Sequence, residues 1–301
     1  EEYFEAKAIL FRDLPPASVA ILNADDPYAP RLRAATRARV VTFGERSPAD
    51  VRLASYRSGG RGTEMTIEVA AGVGGAGSAA GRLEIDSPLL GRPNALNLAT
   101  SAAVGLALGL PRAAIEAGLE AVRGVSGRFE RLDEGQPFTI LVDYAHTDDA
   151  LTNLLRAVRD LRPRRILTVF GCGGDRDRAK RPKMGFAAAS GSDVVVVTSD
   201  NPRGEEPRAI IEEILPGVRR ALTGDERGEP DPGRCLVIPD RKEAIRRALA
   251  LAAPGDCVVI AGKGHETYQI LGDRTVPFDD REVAREHLRG HGASARSGSG
   301  R

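Results

Sequence analysis

Between Thr139 and Ala261 the chain repeats a short apolar run followed by a longer stretch of helical character. The runs are Thr139–Val142, Ile166–Phe170, Val194–Thr198, Leu236–Ile238 and Cys257–Ala261. A strand reads as nearly continuous apolar sequence when helices cover both faces of its sheet. Strands alternating with helices close into a parallel sheet. With helices expected near 148–161, 180–190, 207–222, 241–252 and 280–289, this part predicts a doubly wound, mostly parallel, Rossmann-like α/β domain. Thr267–Ile270 and Arg274–Pro277, around Gly272-Asp273, read as a terminal hairpin.

The earlier part is less regular. Residues 3–11 and 31–38 read as helices, and Val19–Leu22 and Val40–Phe43 as short strands. Val51–Tyr56 and Glu64–Val69 flank Ser58–Gly62. Met65, Ile67 and Val69 alternate with Thr66 and Glu68, as on a half-buried hairpin. Leu83–Ile85 is a third antiparallel candidate, and the small residues of 71–81 suggest a flexible surface loop. Asn94–Leu108 predicts a helix with Leu98, Val104, Leu106 and Leu108 on its apolar face and Pro93 at its start. Pro111 opens another helix, Arg112–Val122. The polar stretch Asp133–Pro137 reads as a linker, placing a boundary near Arg128–Leu132. The expected organisation is 1–130, 131–290 and a disordered Gly/Ser/Arg tail, 291–301. A length of 301 residues suits about two domains.

Composition excludes several classes. Net charge is +1, so no overall field favours nucleic acid or an anionic membrane. No apolar run approaches the roughly 20 residues that span a bilayer. The acidic start, EEYFEAK, is not a secretory leader. Cys172, Cys235 and Cys257 lack metal-ligand spacing and read as reduced thiols of a cytoplasmic protein. Cys172, in a glycine turn, is a minor candidate for a catalytic thiol.

The chemistry gathers after the apolar runs. Asp143-Tyr144-Ala145-His146-Thr147 follows the first, and Gly171-Cys-Gly-Gly-Asp-Arg-Asp the second. Asp200-Asn-Pro-Arg follows the third, and Gly262-Lys-Gly-His-Glu266 the fifth. Ligands of open parallel sheets bind at the carboxyl ends of strands, so four polar clusters at such ends point to one crevice. None is a Walker A loop: Gly262-Lys263-Gly264 lacks the spacing, and Arg176 interrupts a dinucleotide G-x-G-x-x-G. Arg176 and Arg203 can each grip a carboxylate with two parallel hydrogen bonds, and Glu266 can hold an ammonium. Two arginines and an acid suit a zwitterionic amino acid.

DYAHT at 143–147, FGCGGDRDRAKRPKMG at 170–185, DNPRGEEPRAI at 200–210 and AGKGHETYQI at 261–270 resemble the Mur ligase family. The resemblance runs from YFEAK to about residue 289. It implies a remainder of a Mur-type central ATPase domain, followed by the amino-acid-binding domain. The implied reaction is ATP-dependent amide formation: a carboxylate becomes an acyl phosphate, which an amine attacks. The implied cofactors are ATP and Mg2+. The implied substrates are a UDP-MurNAc-dipeptide and meso-diaminopimelate, used by a monomer without nucleic acid or membrane insertion.

Residue by residue, the resemblance implies that Lys7 is carbamylated to bind magnesium. Asn94 and Asn97 match an asparagine pair near the adenine, although Pro93 stands where the family has Phe. Arg128 and Asp143 match further nucleotide contacts, and His146 matches an orienting, catalytic position. Arg176, Asn201, Arg203, Gly262 and Glu266 match the pocket for the incoming amino acid. The DNPR form goes with meso-diaminopimelate, whose distal carboxylate Arg203 would bind.

The family's G-T-x-G-K-[ST] phosphate loop and its UDP-binding domain do not occur in these 301 residues. The chain alone is therefore expected to be N-terminally truncated and to release no phosphate from ATP. Two alternatives stand beside this reading: a folylpolyglutamate-synthase-like ligase, against which DNPR and GKGHE argue, and a non-catalytic amino-acid-binding module.

Overall fold

The computed structural model describes residues 1–46, 48–59 and 62–297, with 291–297 as backbone alone. Gly60 and Arg61 of the expected hairpin turn, and 298–301 of the tail, lie outside the described residues. The chain forms two compact units, Glu1–Arg123 and Gly124–Arg301.

In the first unit, α1 (Glu2–Asp13) precedes a five-stranded sheet. Its strands are β1 (Val19–Asn23), β2 (Arg39–Gly44), β3 (Val51–Gly59), β4 (Gly62–Val69) and β5 (Gly81–Ser87), in that spatial order. β1, β2 and β3 run parallel, and β3, β4 and β5 antiparallel. The alternation at 65–69 is obeyed: Met65, Ile67 and Val69 are buried. α2 (Ala29–Ala35) connects β1 to β2, and α3 (Gly91–Ala107) and α4 (Arg112–Ala121) follow β5.

The expectation for α3 needs correction here. α3 begins at Gly91, two residues before Pro93, because the Ser58 hydroxyl accepts the Gly91 N–H at 2.7 Å. Its buried face is Ala95, Leu98, Ala99, Ala102, Ala103 and Leu106, whereas Val104 and Leu108 are exposed. Alanines let the helix lie close on the sheet, a pattern hidden when only large residues are counted. The 71–81 segment lies at the surface as expected, anchored at one residue. Val73 is buried in the sheet core, and Arg39 donates to its carbonyl at 3.0 Å.

The second unit is built on a six-stranded sheet ordered β10-β9-β8-β11-β7-β6. These are β6 (Glu130–Leu132), β7 (Thr139–Asp143), β8 (Ile166–Phe170), β9 (Val194–Val197), β10 (Cys235–Val237) and β11 (Cys257–Ala261). All but β6 are parallel. β6, too short and polar to stand out in the sequence, pairs antiparallel at the edge. Ile140, Val142, Leu167, Val169, Val258 and Ile260 face α8 (Arg241–Leu251) and α9 (Asp280–Ser297). α5 (Asp148–Asp160), α6 (Lys180–Gly191) and α7 (Pro207–Thr223) pack on one another, with α6 against β8 and β9. Gly217 makes the α6–α7 approach possible, since a Cβ there would sit 1.7 Å from the Pro182 carbonyl oxygen. β12 (Tyr268–Leu271) and β13 (Arg274–Pro277) form the expected hairpin. The doubly wound, mostly parallel architecture is as the apolar runs predict. α9 extends to Ser297, past the expected end at 289.

Candidate functional site

Inserting β11 between β8 and β7 brings the carboxyl ends of β7, β8, β9 and β11 side by side. The loops leaving them enclose a cavity of about 290 Å³. Arg176, Asn201, Arg203, Gly262, Glu266 and His146 all line it. Residues from four separate stretches of sequence thus meet in one place.

The β9 loop is held most firmly. Asn201 is buried, with its Oδ1 accepting from the Lys263 ammonium at 2.8 Å and from the Ile270 N–H at 3.1 Å. Its Nδ2 donates to Glu266 Oε2 at 2.9 Å. These partners fix which way the amide points. Arg203 adopts a left-handed backbone, φ +52°, which costs a non-glycine residue roughly 1–2 kcal/mol. The hairpin holds it there: Arg203 N–H donates to the Ile270 carbonyl at 3.1 Å, and its own carbonyl accepts from Gly272 at 2.9 Å. The guanidinium donates to the carbonyls of Gly174 and Asn201. It does not pair with Glu205 or Glu206, so it is not a partner for the following helix.

The glycine turn after β8 is tied down from behind. Arg181 is fully buried and donates to both Glu205 oxygens at 2.6 and 2.8 Å and to Glu213 at 2.8 Å. Glu205 in turn accepts the Asp175 N–H at 2.6 Å. The Arg181 guanidinium holds the Glu205 carboxyl down at about 2. Arg176, carried by this turn, is exposed and donates only to the Asp175 carbonyl among the described residues.

After β7, Asp143 accepts from the backbone of Phe129 and Ala145 at 2.7 and 2.8 Å. Burial nevertheless pushes its carboxyl upward. The His146 Nδ1 lies 2.8 Å from the Tyr144 carbonyl oxygen. A carbonyl only accepts, so Nδ1 carries the proton and Nε2 of the neutral ring is the acceptor. Thr147 caps α5 by accepting from Ala150 at 3.2 Å. Arg128 stands exposed, its guanidinium 4.9 Å from the Tyr144 ring centre.

Gly262 answers a steric demand. Its φ is +115°, and a Cβ would lie 3.1 Å from Asp200 Oδ2. Asp200 and Lys263 are participants that sequence reasoning did not single out. The signal was present, since both lie inside the strand-end clusters, but nothing in a Gly-Lys-Gly run says that its lysine is fully buried. Lys180 also lines the cavity and donates to the His146 carbonyl at 3.1 Å.

Burial argues against Cys172 as a nucleophile. It is buried against Met184 Sδ at 3.5 Å, and burial pushes its thiol up to about 12. All three cysteines are free.

The first unit gathers its candidates less well. Lys7 is exposed on α1, its ammonium 5.4 Å from the Tyr3 ring centre. The helix acids Glu1 and Glu5 pair with Arg31 and Arg12 instead. No group of three or more His, Cys, Asp or Glu side chains is placed to hold a metal among the described residues. Magnesium is usually held by one or two carboxylates together with water and phosphate oxygens rather than by an all-protein cage. Asn94 is buried and spends its Nδ2 on the Leu90 carbonyl at 2.9 Å, while Asn97 is exposed.

Two family models match the chain: the Mur ligase middle domain over residues 1–105 and the Mur ligase glutamate ligase domain over residues 127–264. The chain belongs to the Mur ligase family. It is 47% identical over 294 residues to the UDP-N-acetylmuramoyl-L-alanyl-D-glutamate–2,6-diaminopimelate ligase of Solibacter usitatus, covering 97% of this chain and 56% of that protein. A solved structure of a ligase with the same name superposes with a TM-score of 0.63 at 32% identity, covering 96% of this chain and 56% of that one. Mycobacterium tuberculosis folylpolyglutamate synthase, complexed with ADP, shares the Mur ligase fold at 22% identity and a TM-score of 0.59, covering 81% of this chain and 52% of its own. The chain thus spans about half the length of the relatives it matches. No helix among the described residues is long and apolar enough to cross a membrane.

Proposed function

We propose that this chain supplies the amino-acid-accepting part of a cytoplasmic, monomeric ligase that joins meso-diaminopimelate to UDP-MurNAc-L-Ala-D-Glu in peptidoglycan synthesis. One observation carries the reading: a single cavity lined by Arg176 and Arg203 together with Glu266 and Asp200. Cations and acids facing one small space match a zwitterion with two amino-acid ends. Glu266 Oε1 accepts no hydrogen bond among the described residues, so it can take an ammonium. Arg203 has Nε and Nη2 available for a carboxylate, a charge-assisted contact of roughly 1.5–3 kcal/mol. Lysine lacks the second carboxylate and would forgo that contact. His146 Nε2 is the acceptor able to take the proton an ammonium must lose before its nitrogen attacks.

ATP, when bound, supplies the phosphoryl group that turns the acceptor carboxylate into an acyl phosphate. Within the second unit, exposed Arg128 is a side chain available for nucleotide, and within the first, exposed Asn97 is another, each taken by itself. Asp143 and Asn94 act through the backbone they hold. Mg2+ belongs to the reading as a cofactor, with Lys7, as a carbamate, its proposed ligand. The identity to diaminopimelate ligases favours this reading over a folylpolyglutamate-type ligase, whose likeness extends to the fold alone, and over a non-catalytic module.

Titration calorimetry of the chain with meso-diaminopimelate and with L-lysine tests the proposal. The former is expected to bind at least tenfold tighter, and Arg203→Ala should lose about 10- to 100-fold in affinity for it. Equal affinity of the wild-type chain for both amino acids would overturn the assignment.

A further inference from the structure

Beneath the cavity Lys263 is fully buried between two carboxylates. Its ammonium lies 3.4 Å from Asp200 Oδ1 and 3.4 Å from Glu266 Oε2. It also donates to Asn201 Oδ1 and to the Tyr268 carbonyl, both at 2.8 Å. Asp200 Oδ1 is buried and accepts no hydrogen bond, so its contact with Lys263 is purely Coulombic. The neighbouring buried cation, Arg241, is matched by Asp280 through two hydrogen bonds of 2.8 and 2.7 Å and adds no net charge.

The charge of the floor follows by counting. Asp200 and Glu266 carry two negative charges and Lys263 one positive, which leaves a single negative charge facing the cavity. Without Lys263, two carboxylates would share the site uncompensated, an arrangement that strongly disfavours double ionisation. With Lys263 and only one acid, the floor would be neutral and would have no charge to offer an ammonium.

We propose that Lys263 is a specificity-determining positioning residue: by cancelling one of two buried acids, it sets the floor to accept one ammonium, while pinning Asn201 beside it. This rests on the amino-acid reading of the cavity and adds the reason the cavity selects a zwitterion over a plain dicarboxylate. Lys263 itself touches no ligand. Its role is carried by Asp200, Asn201 and Glu266.

The experiment measures, by calorimetry, the preference for meso-diaminopimelate over pimelate, the same dicarboxylate without its amines. Circular dichroism checks the fold of each variant. Asp200→Asn makes the floor neutral and should cut the preference about tenfold. Adding Lys263→Met to Asp200→Asn returns the floor to one negative charge and should restore much of the preference. Asp200→Asn with Glu266→Gln leaves Lys263 uncompensated and should turn the preference toward pimelate, without any change at Lys263. A double variant of Lys263 and Asp200 that folds but discriminates no better than Asp200→Asn would overturn the proposal. If that variant does not fold, the Asp200/Glu266 variant decides: a preference equal to wild type overturns the proposal. Wild-type chain that binds neither ligand would instead overturn the amino-acid reading, and this proposal with it.

Discussion

The two units treat charge differently. In the first, the buried polar residues among those described are Thr63, Ser87 and Asn94, all neutral, and the ion pairs stay at the surface, with side chains 33% exposed or more. In the second, Arg181, Arg241, Lys263, Asp200, Asp256 and Asp280 are all buried. Removing ions from water is expensive, and a buried pair seldom repays that cost in stability. What these groups do instead is visible in their bonds. Arg241 donates to the carbonyls of Ser199 and Ala261, the residues just before Asp200 and Gly262. Arg181 clamps the turn that carries Arg176, and Lys263 fixes Asn201. The comparison teaches that stability alone does not account for the second unit's interior. Asp256 pairs with Arg165 at the far end of β11; the other buried charges lie close behind the cavity and position groups that line it.

The strongest way to break this contrast is to strip one buried partner. Asp280→Asn would leave Arg241, fully enclosed, without its counter-charge. Such a loss typically costs about 3–5 kcal/mol. Urea denaturation should show it, and hydrogen exchange should place the loss of protection in α8, α9 and the ends of β9 and β11. Exchange in the first unit should stay as it was. A destabilisation spread evenly over both units would end the argument that this pair acts locally.

A smaller effect separates the two units by pH. The Glu205 carboxyl sits at about 2 because Arg181 donates to it, below the roughly 4.3 of a free glutamate. A depressed folded value adds stability that is fully present above the unfolded value and is lost as pH falls through the folded one. Glu205→Gln should therefore lower the urea midpoint at pH 7. The gap to wild type should narrow below about pH 4.3 and close near pH 2. A gap unchanged at pH 2.5 would mean that the charge on Glu205 is not what holds the glycine turn.

How far the sequence reached depends on the kind of signal. β8 and β11 were legible to the residue, because a short, uninterrupted apolar run in an α/β chain fits a strand covered on both faces and little else. The meeting of four strand-end clusters was legible too, since topology places such ends together. β6 was not: three residues, Glu130–Leu132, hold no periodicity, and pairing with β7 alone makes them a strand. The apolar face of α3 is not legible, because alanine carries little hydrophobic weight but packs closest. Lys263 and Asp200 were hidden for a different reason. Burial of a charge is a property of the assembled loops, and a Gly-Lys-Gly run reads equally well as a solvated turn.

The smallest expected effect lies on the first unit's hairpin. Arg57 and Glu64 stand directly opposite on β3 and β4 and form an ion pair, yet their side chains are 82% and 63% exposed. Water competes for both groups, salt screens what attraction remains, and ordering two long side chains costs entropy. Arg57→Ala should leave the urea midpoint of the chain within error of wild type, and raising the salt to about 1 M, where the screening length falls to about 3 Å, should not change that difference. A clear loss that salt removes would show that surface pairs do hold the first unit together. The contrast between the units would then be one of degree, and the buried charges of the second would need no functional reason beyond stability.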